Sequence, residues 1–272
     1  MMIRTKGIGH GCAEGSIVVS HMPISFLGGV DPSKGCVVEQ GSDIMLESFA
    51  GKILSFPHGK GSTVGSYVIF QLKKSGTAPA AIINQKAEAI VATGAILAGI
   101  PMLTGIPMEI LKPGDKAVIN ADEGTIELPN VIGKVVVTVI VRRQDKILIM
   151  KRSNKVNTYK EHWAGASGGM LPGENPADAA SRELREETGI IVTPKQMTVQ
   201  GEPVYARDGG TLWKVFPFLV DVEAEDVKID WEHDEYRWIT LPELDRYQTV
   251  PRFGETVSMV MKADAASAKK IC

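Results

Sequence analysis

Cysteines and long apolar runs are scarce in this 272-residue sequence. Its three cysteines, Cys12, Cys36 and Cys272, have spacings that fit neither a disulfide framework nor a zinc or iron–sulfur motif. No apolar run approaches the ~20 residues that span a bilayer, and Arg4 and Lys6 interrupt any signal-peptide core. We therefore expect a cytoplasmic protein without a membrane partner, in which Cys12 and Cys36 are small buried hydrophobic residues.

An excess of charge of either sign is also missing. Lys and Arg number 30 against 32 Asp and Glu, which gives a formal net charge of −2. Residues 1–130 contain 10 basic and 11 acidic residues, and the remainder contains the other 20 and 21. Neither half has a basic stripe, so we expect neither nucleic acid nor an anionic membrane as a main partner.

Aromatic residues make up only 6% of the chain, and their distribution divides it. All four tryptophans lie in the second half, whereas the first 115 residues are rich in glycine and small residues. The stretch Leu128–Gly133 follows a hairpin predicted over Lys116–Asn120 and Thr125–Leu128. It contains Pro129 and Gly133, which interrupt strands. The sequence thus predicts an α/β protein with two domains, at residues 1–128 and 134–265, joined by a short linker at 129–133.

One stretch in the second half, Gly168–Ile190, combines a glycine turn with an acidic helix. Asn175 is a favourable N-cap, Pro176 suits the first helical position, and Gly189 can provide a left-handed end, which predicts a helix over Pro176–Thr188. Like charges at i and i+4 destabilise an isolated helix, so the acids clustered near its end require a reason. A divalent cation such as Mg²⁺ or Mn²⁺, bound by carboxylates and bridging to phosphates, provides one.

The same stretch resembles the Nudix box, G-x5-E-x7-R-E-U-x-E-E-x-G-U with U aliphatic, at every fixed position. The resemblance implies a Nudix α/β/α sandwich, with Glu183 and Glu187 as main metal ligands. Glu186 would be a further metal ligand or a water-activating base. The catalytic residues would then be Glu183 and Glu186. A backbone carbonyl near Gly168 would be a further metal ligand. The residues with structural roles in the box would be Glu174, Arg182 and Gly189.

Residues around the box are candidates for substrate binding. Arg152 follows Lys146–Lys151, the second predicted strand of this half, and can contact a diphosphate. In many Nudix enzymes an acid in the loop before a strand with a Trp-Ile pair, here Trp238-Ile239, assists catalysis. Glu232 and Glu235 are the candidates for this acid, and we assign Glu235 as a substrate-binding residue. We expect Mg²⁺-dependent hydrolysis of a nucleoside or other diphosphate linkage in a small phosphorylated substrate. One alternative is a domain that senses a nucleotide without hydrolysing it, attached to a first half that mainly binds a partner protein. Another is a domain that acts on an isoprenoid diphosphate.

In the first half, the loop Gly59-Lys60-Gly61-Ser62 precedes a predicted helix over Ser62–Lys74. Free backbone N–H groups, a lysine and a hydroxyl at a helix N-terminus are typical of an anion site. Lys60 and Gly61 are therefore predicted to bind substrate. A glycine turn with a structural serine cap would explain the same pattern.

Five short stretches of the first half begin at Gly9-His10-Gly11, His58-Gly59-Lys60, Gly76-Thr77-Ala78, Ala95-Ile96-Leu97 and Gly114-Asp115-Lys116. Together they resemble the small subunit of archaeal phosphomevalonate dehydratase, the swivel domain of the aconitase X group. The resemblance implies a β/β/α swivelling domain that closes over a separate large subunit. That partner would hold a 4Fe–4S cluster and dehydrate (R)-5-phosphomevalonate to trans-anhydromevalonate 5-phosphate in the mevalonate pathway. Ser62 would be the proton acceptor.

Overall fold

The computed structural model describes residues 1–199, 203–223 and 226–271. The chain forms two compact units, Met1–Ile132 and Gly133–Cys272. Among the described residues, no helix combines the length and apolar character needed to cross a bilayer.

The first unit contains twelve strands and two α-helices within its described range. The strands are β1 (Met2–Arg4), β2 (Lys6–Ile8), β3 (Cys12–Val19), β4 (Ile24–Ser25), β5 (Val30–Asp31), β6 (Cys36–Val37), β7 (Ile53–Phe56), β8 (Gly59–Lys60), β9 (Ala81–Asn84), β10 (Met102–Thr104), β11 (Lys116–Asn120) and β12 (Thr125–Glu127). The helices are α1 (Gly65–Lys74) and α2 (Ala89–Ala98), and a 3₁₀ helix spans Met108–Ile110.

Eight of these strands form one sheet in the order β1-β12-β11-β3-β7-β9-β10-β2. Its centre, from β3 through β7 and β9 to β10, is parallel, and its remaining pairings are antiparallel. Two small two-stranded sheets, β4 with β8 and β5 with β6, complete the unit.

Both helices pack on one face of this sheet. Alternate strand residues face opposite sides of a sheet, and Leu54 and Phe56 of β7 belong to the same buried cluster as Ile69 of α1 and Val91 of α2. These side chains are 0% exposed. The arrangement has the β/β/α architecture expected of a swivelling domain.

Two local predictions for this unit are wrong. Helix α1 begins at Gly65, with Val64 as N-cap, so Ser62 lies before the helix and does not cap it. The residues between them form turns, in which the Gly65 N–H donates to the Ser62 carbonyl at 2.9 Å. Cys36 is buried as predicted, but Cys12 is exposed.

The second unit contains eight strands and two α-helices within its described range. The strands are β13 (Ile132–Arg143), β14 (Lys146–Arg152), β15 (Trp163–Ala164), β16 (Ala166–Gly169), β17 (Thr198–Val199), β18 (Val204–Asp208), β19 (Thr211–Asp221) and β20 (His233–Thr240). The helices are α3 (Pro176–Thr188) and α4 (Phe253–Ile271), and 3₁₀ helices span Pro194–Gln196 and Leu241–Arg246. The sequence also predicts a strand near Thr198–Ala206, and residues 200–202 of that stretch lie outside the described residues.

Its eight strands form one sheet with the central order β15-β14-β13-β19-β17, to which β16, β18 and β20 add as branches. The two faces of this sheet bury different clusters. Val139 and Val141 of β13 pack with Leu184 of α3, whereas Ile140 between them packs with Val257 of α4. A helix thus covers each face, which is the α/β/α sandwich that the Nudix resemblance implies.

Candidate active site in the second unit and candidate loop in the first

Helix α3 has the ends that the sequence predicts. The Asn175 side chain accepts a hydrogen bond from the Ala177 N–H at 2.9 Å, and Pro176 occupies the first helical position. Gly189 ends the helix with φ of +72°, a left-handed conformation that glycine adopts without steric cost. These ends fix which side chains of α3 face the sheet.

The acidic residues of α3 differ sharply in burial. Glu187 is only 4% exposed, and one of its carboxylate oxygens accepts a hydrogen bond from the Ser167 N–H at 2.9 Å. The Glu183 side chain is 12% exposed, whereas that of Glu186 is 51% exposed. Helix α3 therefore turns Glu183 and Glu187 toward β16 and leaves Glu186 at the surface.

Gly168 makes the approach of β16 to α3 possible. A Cβ atom at residue 168 would lie 2.0 Å from the carboxyl carbon of Glu183. Carbon atoms in van der Waals contact are about 3.5–4.0 Å apart, so a side chain at residue 168 would displace this carboxylate. At Gly169, by contrast, an added Cβ would meet no atom within 4 Å. The glycine that begins the Nudix box thus makes room for an acid of the same box.

Arg182 connects the box residues to one another. Its guanidinium donates to both oxygens of Glu174, at 2.8 and 2.9 Å, and to Glu183 at 2.7 Å. It also donates to Glu186 at 3.3 Å and to the Gly169 carbonyl at 2.9 Å. Since the fork of a guanidinium is planar and rigid, these contacts fix the acids relative to the glycine turn.

The pKa values of these acids follow from their surroundings. Hydrogen bonding to Arg182 lowers the pKa of Glu174 to about 2. Burial raises the pKa of Glu183, and it raises the pKa of Glu187 well above its usual range, with further contributions from Glu183, Asp230 and Glu232. Burial disfavours the ionised form of a carboxylate, and Glu183 has Arg182 as a positive partner, whereas Glu187 accepts only from the Ser167 N–H. A bound cation would favour the ionised form of both acids.

A cleft of about 400 Å³ opens beside these acids. Glu183, Glu187, Gly168 and Ser167 line one part of it, together with Arg152. The rest of its lining comprises Lys134, Val136, Thr138, Thr158, Tyr159, Ala164, Gly169, Ala206, Trp213, Val215, Glu232, Val250 and Pro251. The structure therefore brings Glu183, Glu187, Gly168 and Arg152 together at one cavity.

Two predicted site residues are not part of this lining. Glu235 does not line the cleft and instead accepts a hydrogen bond from Arg237 at 2.6 Å. Glu232, the other acid that the sequence offers in this segment, does line the cleft. Glu186 is also absent from the lining. In the described part of the chain, no group of three or more His, Cys, Asp or Glu side chains is arranged to hold a metal ion. The metal and catalytic roles assigned from the resemblance stay predictions.

The residues present nevertheless fit a magnesium ion. Mg²⁺ is typically bound by one or two carboxylates, with waters and substrate phosphates as its other ligands. Glu183 and Glu187 provide two carboxylates at a cleft, and the space that Gly168 leaves lies against one of them.

Sequence reasoning missed several residues of the cleft. Lys134, Tyr159 and Trp213 come from distant segments, and no local pattern connects them. Pairing of β18 with β19 places Trp213 opposite Ala206, and both residues line the cleft. The sequence contains no signal for this set beyond the strands themselves.

The candidate loop of the first unit lies at its surface. β8 pairs in parallel with β4, which aligns Lys60 with Ser25. The Lys60 ammonium donates to a carboxylate oxygen of Glu39 at 2.6 Å. Gly61 follows with φ of +96°, and Ser62 is exposed. The Ser62 hydroxyl oxygen accepts a hydrogen bond from the Val64 N–H at 3.3 Å. The structure thus places Lys60, Gly61 and Ser62 together on one exposed loop.

Comparison with known proteins agrees with the two architectures. The model of the aconitase X swivel domain matches residues 2–128, and the model of the NUDIX domain matches residues 133–258. The phosphomevalonate dehydratase small subunit of Thermococcus gammatolerans is 59% identical over 128 residues, which are 47% of this chain and 98% of that protein.

Two solved structures resemble the two units. Aconitase X of Thermococcus kodakaraensis, in its holo form, has 54% identity and a TM-score of 0.46, and the match covers 47% of this chain and 98% of that one. The MutT protein of Methanosarcina mazei Go1 has 23% identity and a TM-score of 0.44, with coverage of 50% and 96%. The chain therefore belongs to the family of phosphomevalonate dehydratase small subunits, the aconitase X swivel domains, through its first unit, and joins this domain to a Nudix domain.

Proposed function

We propose that the Nudix domain hydrolyses a diphosphate linkage in a small phosphorylated substrate and requires Mg²⁺ or Mn²⁺. The observation that supports this proposal most strongly is the pair Glu183 and Glu187, which share a cleft beside the glycine that leaves room for one of them. A solvated acidic helix face would not need a buried glutamate or a glycine at residue 168.

In this proposal Glu183 and Glu187 hold the metal ion, and Glu186 is a further ligand or a base. The ion would supply positive charge that stabilises the diphosphate and lowers the pKa of the attacking water. Arg182 positions Glu183 through the 2.7 Å hydrogen bond. Arg152, whose Nε donates to the Thr158 carbonyl at 3.1 Å, presents its charge to the cleft for a phosphate oxygen.

Glu232 replaces Glu235 in the proposed role of the assisting acid. Glu232 lines the cleft, and its charge is one of those that raise the pKa of Glu187. Its position at the cleft allows it to accept a proton from the attacking water, which is the role of a general base.

The experiment is hydrolysis by the full chain with Mg²⁺, tested on ADP-ribose, nucleoside triphosphates and isopentenyl diphosphate. Glu187→Gln should abolish cleavage, since glutamine preserves the shape and removes the charge. Asp178→Asn, in the first turn of the same helix, is the matched control and should retain it. If the wild-type protein binds these compounds without cleaving any, the domain is a nucleotide sensor and the proposed hydrolysis is wrong.

For the first unit we infer a second function, that of the small subunit of (R)-5-phosphomevalonate dehydratase. The identity of 59% to a protein of that name, over nearly its full length, supports this inference. The large subunit would be a separate partner that holds the 4Fe–4S cluster, and the product would be trans-anhydromevalonate 5-phosphate, an isoprenoid precursor.

Ser62 is the proposed proton acceptor of this reaction, with Lys60 and Gly61 at the substrate phosphate. An isolated serine hydroxyl is a poor base, so the partner must supply part of the chemistry. The exposure of Ser62 is compatible with a site completed by another subunit.

The experiment uses the full chain mixed with the large subunit. The chain alone should be inactive and the mixture should dehydrate (R)-5-phosphomevalonate. Ser62→Ala should stop turnover while co-purification persists, whereas Ser75→Ala, at the other end of α1, should have no effect on either. Full activity of Ser62→Ala in the assembled complex would refute the role of Ser62.

A further inference from the structure

The turn directly before β20 contains Glu232, the acid proposed to assist hydrolysis, and its backbone is held from two sides. The Glu232 N–H donates to a carboxylate oxygen of Asp230 at 3.1 Å. The Glu232 carbonyl accepts a hydrogen bond from the Ser153 N–H at 2.7 Å. Ser153 is only 1% exposed, and its hydroxyl donates to the Trp231 carbonyl at 3.1 Å. These contacts fix the backbone from which the Glu232 side chain reaches the cleft.

His233 is a buried partner of Asp230. Its side chain is 1% exposed, and its Nδ1 lies 3.1 Å from the same Asp230 oxygen that accepts from the Glu232 N–H. Because an ionised carboxylate only accepts hydrogen bonds, Nδ1 carries the hydrogen and donates it. Burial lowers the pKa of the His233 imidazole, which favours the neutral ring. Asp230 thus connects a buried side chain to the backbone of the candidate base.

A β-bulge places His233 where it can make this contact. The register of β20 against β14 is regular as far as Glu235, which lies opposite Lys151. The next pair joins Arg152 to His233, so Asp234 is an extra residue on β20. A shift of one residue reverses the face to which a strand residue points. His233 therefore lies opposite Arg152, a residue of the cleft, whereas Asp234 is exposed.

A histidine at this buried position calls for a polar partner. Burying a polar ring costs free energy unless the ring is hydrogen-bonded, whereas an apolar side chain of similar size would pack without that cost. The hydrogen bond to Asp230 provides the partner, and the same Asp230 oxygen holds the Glu232 N–H. The ring therefore supports the turn that carries Glu232, in addition to filling space.

We propose that His233 is a positioning residue for the hydrolysis, which acts through Asp230 to hold Glu232 at the cleft. The inference rests on the proposed function, because it takes Glu232 as the base that accepts a proton from the attacking water. A base must lie within about 2.6–3.2 Å of the atom whose proton it accepts, so a small displacement of the turn removes its contribution. Glu183 and Glu187 lie on α3 and not in this turn, so metal binding should not depend on His233.

The test is a double-mutant cycle that measures kcat for Mg²⁺-dependent cleavage by the full chain. The substrate is the one that the wild type cleaves fastest among those of the hydrolysis experiment above. His233→Leu removes the donor and retains apolar volume, whereas His233→Asn retains a nitrogen at the position of Nδ1. Asp230→Ala removes the acceptor, and its matched control is Asp234→Ala, because Asp234 is exposed. Each change is made in the wild-type protein and again in Glu232→Gln.

We expect His233→Leu to lower kcat by about 10- to 100-fold, because a reacting group displaced by about 1 Å loses up to about 100-fold in rate. KM and the binding of Mn²⁺, followed by electron paramagnetic resonance, should stay close to their wild-type values. His233→Asn should retain most of kcat. Asp230→Ala should lower kcat as His233→Leu does, and Asp234→Ala should not.

The Glu232→Gln background separates positioning from a general effect on the fold. In this background neither His233→Leu nor Asp230→Ala should lower kcat by more than about twofold, since no base is left to position. An equally large loss in both backgrounds would overturn the inference, and so would a wild-type kcat in folded His233→Leu. Thermal melts identify a variant that fails to fold, and the comparison of Asp230→Ala with Asp234→Ala then decides.

Crystal structures distinguish a failure of this inference from a failure of the proposed function. His233→Leu should displace the Glu232 carboxylate by about 1 Å or more, and His233→Asn should leave it in place. A carboxylate that does not move in His233→Leu would overturn the inference. If the carboxylate moves but the wild type cleaves no substrate, the proposed hydrolysis is refuted and the role of His233 in holding Glu232 stands.

Discussion

Replacing Gly168 by alanine is the most specific perturbation of the proposed site. The new Cβ would lie 2.0 Å from the Glu183 carboxyl carbon and 2.1 and 2.2 Å from its two oxygens. Ordinary van der Waals contact begins near 3.4 Å, so the carboxylate must move by about 1 Å or more. A displacement of about 1 Å in a reacting group can cost about 100-fold in rate.

The Gly168→Ala protein should remain folded. The atoms that the methyl group meets are the end of a flexible side chain, which can rotate away at the cost of its hydrogen bond to Arg182. Since a hydrogen bond to a charged group contributes about 1.5–3 kcal/mol and this pair is partly exposed, the free energy of unfolding should fall by no more than about 2 kcal/mol.

The matched control is Gly169→Ala, because a Cβ at that position meets no atom within 4 Å. The assay is the initial rate of Mg²⁺-dependent cleavage together with Mn²⁺ binding followed by electron paramagnetic resonance. Gly168→Ala should lose about 100-fold in kcat and bind Mn²⁺ more weakly, while Gly169→Ala should stay close to the wild type. Equal activity of the two folded variants would refute the idea that catalysis depends on where Gly168 allows the Glu183 carboxylate to lie.

Two further predictions concern the charges of the box. Burial raises the folded-state pKa of Glu187, so this group destabilises the metal-free protein as the pH rises above its unfolded pKa of about 4.5. Glu187→Gln should therefore raise the melting temperature at pH 7, and this gain should vanish near pH 4.5. A gain in melting temperature that does not depend on pH would contradict this cause. Arg182→Lys removes the paired contacts to Glu174 and should reduce metal affinity or kcat by about 10- to 100-fold. Calorimetry measures the affinity and initial rates measure kcat. Unchanged values of both would show that Arg182 does not position the acids.

The parts of the site that local chemistry determines were predictable from the sequence. Asn175, Pro176 and Gly189 act on backbone groups within a few residues, so the predicted bounds of α3 agree with the structure. The burial of Glu187 relative to Glu186 follows from helical periodicity once those bounds are fixed. The Nudix box fixes the sequence separation of Gly168 and Glu183. Their contact also requires the pairing of β16 with β13, which the motif itself does not indicate.

The parts that depend on contacts between distant segments were not predictable. Ser62 fits the pattern of an N-cap, but the chain turns through residues 62–64 before α1 begins at Gly65. The preference of serine for the N-cap position cannot distinguish a helix that begins directly after Ser62 from one that begins at Gly65. Whether Glu232 or Glu235 reaches the cleft depends on the register of β20 against β14. Tyr159 and Trp213 are 54 residues apart in the sequence and meet only because a loop and a strand of the sheet converge.

The central claim is that Glu183 and Glu187 together bind one divalent cation at the cleft. Anomalous diffraction from a crystal of the full chain soaked in Mn²⁺ tests it most directly. The account predicts a peak within ~2.0–2.3 Å of a carboxylate oxygen of each residue, which is lost in Glu187→Gln. Manganese bound elsewhere, with neither carboxylate as a ligand, would contradict it.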